Sequence, residues 1–390
     1  MSDLKKLYLD MSMISLFRGL LDRPIFRHFF DFSTADTEAC KINSYAEMVS
    51  EIYKDGGNLT DSVRRMLFED ENIYVKMCAS HKDVPCEIAL AASYELDLLS
   101  RFASLSVDDF KAALSLDYLS PFASDSCDFR LEYVSRVADI DRYGYGIFTS
   151  YPMFRINDNG EIDPIISADR VSLDSFIGYE DERRLVIENT EAFVNGRPAQ
   201  NALLYGDAGT GKSSTVKATV NRFYSSGLRL IELRKDQLGI LPYIMSRIVD
   251  NPLKFIIFID DLSFNKNDDN FSMLKAALEG SASVRASNAL IYATSNRRHI
   301  VKEGFDDRDS NDIHRNDTVQ EKLSLSDRFG LSVLFQRSDK QLYLKIVHQL
   351  AIRAGVTMDE GQLNIRAEEF ALRRGNRSPR CAEQFIKSLL

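Results

Sequence analysis

Residues 203–215 read LLYGDAGTGKSST. An apolar run drops into glycines, a lysine and two serines, and Gly206, Gly211, Lys212 and Ser213 fill the fixed positions of G-x-x-x-x-G-K-[ST]. The spacing has a physical reason. Glycines let the backbone curl so that successive N–H groups from Asp207, Ala208, Gly209 and Thr210 onward point inward at phosphate oxygens, and the start of a helix adds partial positive charge. Lys212 then reaches the outer phosphates, the Ser213 hydroxyl suits Mg²⁺, and Ser214 carries the loop into the helix. The apolar residues before the loop predict a strand and those after it a helix, the context that such a phosphate loop needs.

A second element is FIIFIDDL, a buried strand ending in Asp260 and Asp261. The first carboxylate is placed to hold Mg²⁺ through its water shell, and the second to orient or deprotonate an attacking water. The strand in ALIYATSNRR ends at Asn296, whose amide would be aimed at the terminal phosphate or that water. Farther on, LSLSDRFGLSVLF sets Arg328 just before a last strand, and GNRSPRCAEQF sets Arg380 at the start of the last helix. Arginine is the side chain suited to neutralising a transferring phosphoryl group.

The rest of the chain divides by charge and periodicity. Of 390 residues, 44% are apolar and 27% charged, an ordinary globular composition. Through Arg170 there are 18 basic and 29 acidic side chains, against 31 and 29 afterwards, so the front part is a poor candidate for binding nucleic-acid phosphates. The first thirty residues mix charge into every turn, which argues against a signal or membrane segment and for the cytoplasm. Cysteines 40, 78, 86, 127 and 381 lack C-x-x-C spacing and are expected reduced and buried. Residues 1–140 read as an α-helical domain, 141–168 as a β-hairpin that ends it, 169–337 as alternating strands and helices, and 338–390 as helices at 340–354, 360–373 and 379–389. The fold class expected is α/β, a five-stranded parallel sheet with helices on both faces.

This set resembles the AAA+ ATPase superfamily over about residues 169–390, and its phrases NALLYGDAGTGKSS, KFIIFIDDLSF, YATSNRRH and EKLSLSDRFGL look like a bacterial family of predicted AAA+ ATPases with a domain of unknown function. The resemblance implies ATP and Mg²⁺ as cofactors: Lys212 and Ser213 on phosphates and metal, Asp260 on the metal, Asn296 as sensor 1, Arg328 reaching a neighbouring subunit's nucleotide, and Arg380 closing a C-terminal helical lid. It also implies that Ile177 and Gly178, in SLDSFIGYEDE, pack nearest the base. One departure is the Asp-Asp pair where many members have Asp-Glu. Either Asp261 polarises water from a slightly different place or turnover is slow, as suits a switch.

No aromatic-hydrophobic-glycine pore loop stands in KDQLGILPYIMSRIVDNP, which has room for one helix. A long polar connection at 297–322 carries His299 and His314, neither with a partner at metal-ligand spacing. The leading expectation is an oligomeric ATP-dependent switch or remodeller whose acidic front domain binds a protein partner. A DNA-associated ATPase, such as a helicase loader or transposition helper, would need a basic face from Arg297, Arg298, Arg373, Arg374 and Arg377. A small-molecule P-loop kinase fits the carboxylate pair, asparagine and lid less well.

Overall fold

A computed structural model describes residues 3–114, 116, 118–167, 171–262, 273–275, 278, 286–296 and 328–390. The chain forms two compact units, Met1–Ser150 with Asp250–Pro252 and Tyr151–Val249 with Leu253–Leu390. The expectations for the connection at 297–322, with its histidines and Arg297 and Arg298, lie outside the described residues.

The first unit is helical: α1 (Asp3–Ser12), α2 (Pro24–Thr34), α3 (Glu38–Lys54), α4 (Leu59–Glu69), α5 (Ile73–Ala79), α6 (Cys86–Ala103), α7 (Val107–Lys111), α8 (Phe129–Ala138) and α9 (Ile140–Tyr143). Short polar side chains start several of them, Thr37, Asn58, Asn72 and Asp128 each accepting a first-turn N–H. The cap at Asn72 starts α5 as a helix separate from α4. Phe26, Phe29, Phe102 and Phe110 are fully buried, with Phe26 and Phe102 stacked at 4.7 Å between centroids. Glu95 of α6, 4% exposed, accepts the N–H groups of Ser15, Leu16 and Phe17 and the Ser15 hydroxyl, all at 2.8–3.2 Å. That carboxylate ties the chain after α1 onto α6.

The second unit holds a seven-stranded sheet in the order β2-β1-β4-β5-β6-β3-β7, made of β1 (Met153–Ile156), β2 (Ile162–Pro164), β3 (Ala202–Gly206), β4 (Leu228–Glu232), β5 (Lys254–Ile259), β6 (Ala289–Ser295) and β7 (Leu331–Phe335). The five strands from β3 to β7 are mutually parallel. Residues from Phe255 to Ile259 are at most 1% exposed, so the sheet is covered on both faces. On one face Ala202, Leu204, Ile256 and Phe258 pack with Val186 and Phe193 of α10 (Glu180–Val194) and Val216 and Val220 of α11 (Lys212–Phe223). Between β4 and β5 the chain makes a single helical passage ending in α12 (Leu241–Ile248).

Two expectations change. Of the hairpin expected at 141–168 only β1 and β2 form, while 140–143 and 146–149 are short helical turns, and β1 pairs parallel to β4, so the hairpin extends the sheet from five strands to seven instead of ending the helical domain. An apolar strand laid along β4 covers an edge that would otherwise present unpaired backbone groups. Of the cysteines only Cys381 is buried; Cys40 and Cys86 are exposed because the first turns of α3 and α6 face outward there.

Three further helices follow the sheet: α13 (Lys340–Arg353), α14 (Glu360–Arg374) and α15 (Pro379–Lys387). Their core joins Tyr343, Ile346, Ala367 and Phe385, and Ile177 enters it from the segment before α10. Pro379 stands in the first turn of α15 behind the N-cap Ser378. No described helix is long and apolar enough to cross a membrane.

Candidate nucleotide site

The loop between β3 and α11 is shaped by what surrounds it. Gly206 has φ +129°, and a Cβ there would lie 2.1 Å from the Phe335 carbonyl oxygen, so β3 and β7 meet closely enough to admit only glycine. Asp207 donates its N–H to that same oxygen at 3.1 Å and accepts the Arg337 N–H on Oδ2 at 3.0 Å. At Gly209 (φ +79°) a Cβ would come within 2.9 Å of Ser378 Oγ, and the Gly209 carbonyl accepts the Arg380 N–H at 3.3 Å. The lid therefore touches the loop through the start of α15. Thr210, 2% exposed, closes the loop on itself by donating to the Asp207 carbonyl, while Ala208 is exposed at the tip. Gly211 caps α11, whose first N–H groups, from Lys212, Ser213 and Ser214, lack intrahelical partners and favour an anion.

Lys212 is 6% exposed, and its Nζ donates to the carbonyls of Gly206 (3.0 Å) and Asp207 (2.7 Å) and to Asn296 Oδ1 (3.1 Å). Burial pulls its pKa below the ordinary lysine value, against the opposing pull of Asp207, Asp260 and Asp261. All three acceptors are neutral, so a phosphate oxygen would be a stronger partner than any of them. ATP phosphates fit this cradle.

Across the loop, Ser213 Oγ donates to Asp260 Oδ1 at 2.6 Å. The same oxygen accepts the Thr294 hydroxyl and, at 3.1 Å, the Asp261 N–H. Asp261 takes a left-handed backbone, φ +51°, and accepts Asn296 Nδ2 at 2.7 Å. Asn296 thus bridges the loop lysine and the second carboxylate, since β6 lies between β5 and β3. Among the described residues no group of three or more His, Cys, Asp or Glu could hold a metal alone. One hydroxyl and one carboxylate suit Mg²⁺, which keeps waters and takes phosphate oxygens.

Beside the loop lies a cavity of about 180 Å³. Phe176, Ile177 and Arg183 line it from the segment around α10, Thr210 and Ser214 from the loop, and Ile346, Leu350 and Arg380 from the lid. Ile177 is a wall residue. Gly178 supports the wall instead, accepting Arg183 Nη2 on its carbonyl and donating its N–H to Glu180 Oε1 at 3.2 Å. The Arg183 guanidinium lies 5.3 Å from the Phe176 ring centre, and burial pulls its pKa down. Tyr179 (φ +59°) donates its hydroxyl to the Gln336 carbonyl at 2.7 Å, which joins the start of α10 to the chain entering the lid. Arg328 precedes β7, half-buried and apart from the cavity wall. Of the arginines considered for a basic face, Arg377 is engaged twice by Glu368, at 3.2 and 2.8 Å.

Sequence reading missed Thr294, Tyr179, Arg183, Ser378 and Arg337. Ser378 before Pro379 carried a helix-start signal; the others carried none.

A mostly parallel sheet with a glycine-rich loop on an inner strand next to the edge strand β7, a carboxylate pair two strands away and a helical lid seated on the loop is the architecture of an AAA+ module. The chain belongs to the family described as "Protein of unknown function (DUF815)", whose model matches residues 149–390. Among solved structures it is similar to the RuvB Holliday junction branch migration motor of Thermotoga maritima, at 18% identity and a TM-score of 0.37 over 56% of this chain and 64% of that one. Two point mutants of that motor match at 15% identity and TM-score 0.39 (56% of this chain, 64% of that) and at 17% and 0.38 (55% and 63%). The chain thus spans less than two thirds of these structures' length. Among curated proteins no match was found.

Proposed function

We propose that the second unit binds ATP with Mg²⁺ and hydrolyses it to ADP and phosphate, and that the chain works as an oligomer in which ATP state switches or remodels a protein partner held by the acidic helical unit. The observation that carries the reading is the Lys212 ammonium on three neutral acceptors beside the Ser213–Asp260 pair. In this scheme Ser213 and Asp260 hold the metal, Asp261 and Asn296 direct the attacking water, and Arg380 closes the lid on nucleotide in its own subunit. Arg328 crosses to a neighbour's nucleotide. Because Asp261 is a methylene shorter than glutamate and is engaged by Asn296 Nδ2, slow turnover is expected.

The test is ATP turnover per subunit against protein concentration, for wild type alone and mixed with Arg328→Ala. Specific activity that rises with concentration and is poisoned by the mutant supports an assembling ATPase. Flat activity, with the mutant acting only as a diluent, replaces that reading with a monomeric nucleotide switch.

A further inference from the structure

We propose that Thr294 is a positioning residue for both carboxylates of the turn after β5, its hydroxyl setting the metal-binding carboxylate and the water-directing one together. The inference rests on the ATPase reading above and deepens it. The β5–β6 register pairs Ile259 with Ala293, which brings Thr294 opposite Asp260. The residue is 1% exposed. Its Oγ1 donates to Asp260 Oδ1 and accepts the Asp261 N–H at 3.0 Å. A hydroxyl has one proton and two lone pairs and so makes both bonds at once; a valine of the same shape makes neither.

Each bond has its own consequence. With Ser213 Oγ and the Asp261 N–H also on Oδ1, three donors hold that oxygen of the Asp260 carboxylate and, among the described residues, leave Oδ2 for water of a metal's shell. If Ser213 turns to the metal, Thr294 keeps that orientation. The second bond pins Asp261 in a left-handed conformation, which aspartate tolerates better than most residues, and so aims its carboxylate at Asn296. That backbone requirement gives a reason for aspartate at this position. The neighbouring clasp survives a change of side chain at 294, because Leu262 donates its N–H to the Thr294 carbonyl (2.7 Å) and Ser295 Oγ donates to the Leu262 carbonyl (2.9 Å).

The test compares full-length wild type, Thr294→Val and Thr294→Ser. Each is titrated with a fluorescent ATP analogue in EDTA and at rising Mg²⁺, and turnover is read at saturating nucleotide. For Thr294→Val the affinity in EDTA should stay within about twofold, while the Mg²⁺-dependent gain in affinity and kcat each fall roughly tenfold, the scale of leaving a buried polar group unpaired. Thr294→Ser should recover both to within about threefold by restoring the hydroxyl. Wild-type Mg²⁺ response and kcat in Thr294→Val would overturn the proposal, as would a serine variant no better than valine or an equal loss of affinity in EDTA. A wild type that binds no analogue overturns the ATPase reading itself, before any substitution is compared.

Discussion

Glu95 in the first unit and Asp260 in the second are each gripped by several donors, and the two are put to different uses. In the helical unit Glu95 is 4% exposed and has both oxygens occupied by donors from residues 15–17. In the second unit Asp260 is exposed, and its hydrogen bonds from the described residues all fall on Oδ1. A carboxylate whose two oxygens are both occupied by the N–H groups and a hydroxyl of one short segment fixes the path of the chain. One that is steered by a single oxygen is held in direction and still has an edge to offer. Fold and chemistry thus draw on the same interaction and differ in what is left over.

The comparison can be broken at several strengths. Lys212→Ala should weaken ATP binding by about 100-fold or more, since the ammonium buried in the cradle is removed; a titration showing wild-type affinity would separate the loop from phosphate altogether. Glu95→Ala should cost the helical unit about 3 kcal/mol in denaturant unfolding, because several N–H groups lose their acceptor. Its ATP affinity should remain within about twofold, and a parallel loss of affinity would erase the division of labour. The smallest effect is one of pH. Burial lowers the Lys212 pKa in the folded chain, so the protonated amine is lost at a lower pH than in an unfolded chain. As pH rises toward the ordinary lysine value, ATP affinity should therefore fall while this residue's contribution to stability without nucleotide rises, its burial cost being greatest at lower pH. Titrations and unfolding curves that move in the same direction would contradict the assignment of Lys212 as a buried charge.

What the sequence made legible was local. The phosphate loop, the strands from β3 to β7 and the three lid helices each announce themselves within a dozen residues, by apolar runs, glycine spacing or a helix-starting Ser-Pro. Pairings between distant segments were not legible. Residues 153–155 lie beside residues 230–232, and nothing in either stretch names the other. Thr294 in ALIYATS reads as one more β-branched strand residue, and only the neighbouring strand turns its hydroxyl into a support for Asp260. The same holds for Asp207: its place inside the glycine motif was evident, whereas its bond to Arg337 depends on where the lid begins. Positive φ at Asp261 and Tyr179 is likewise imposed by tertiary context.

The fastening of the loop to β7 and to the lid has a consequence for genetics. Asp207 N–H meets the Phe335 carbonyl, and Arg380 N–H meets the Gly209 carbonyl, main chain to main chain. Alanine scanning cannot delete either bond, because every substituted residue brings the same amide. A library confined to alanine at 207 and 380 would pass over this joint as silent, whereas proline or an amide-to-ester exchange, each of which removes the N–H donor, would reveal what it carries.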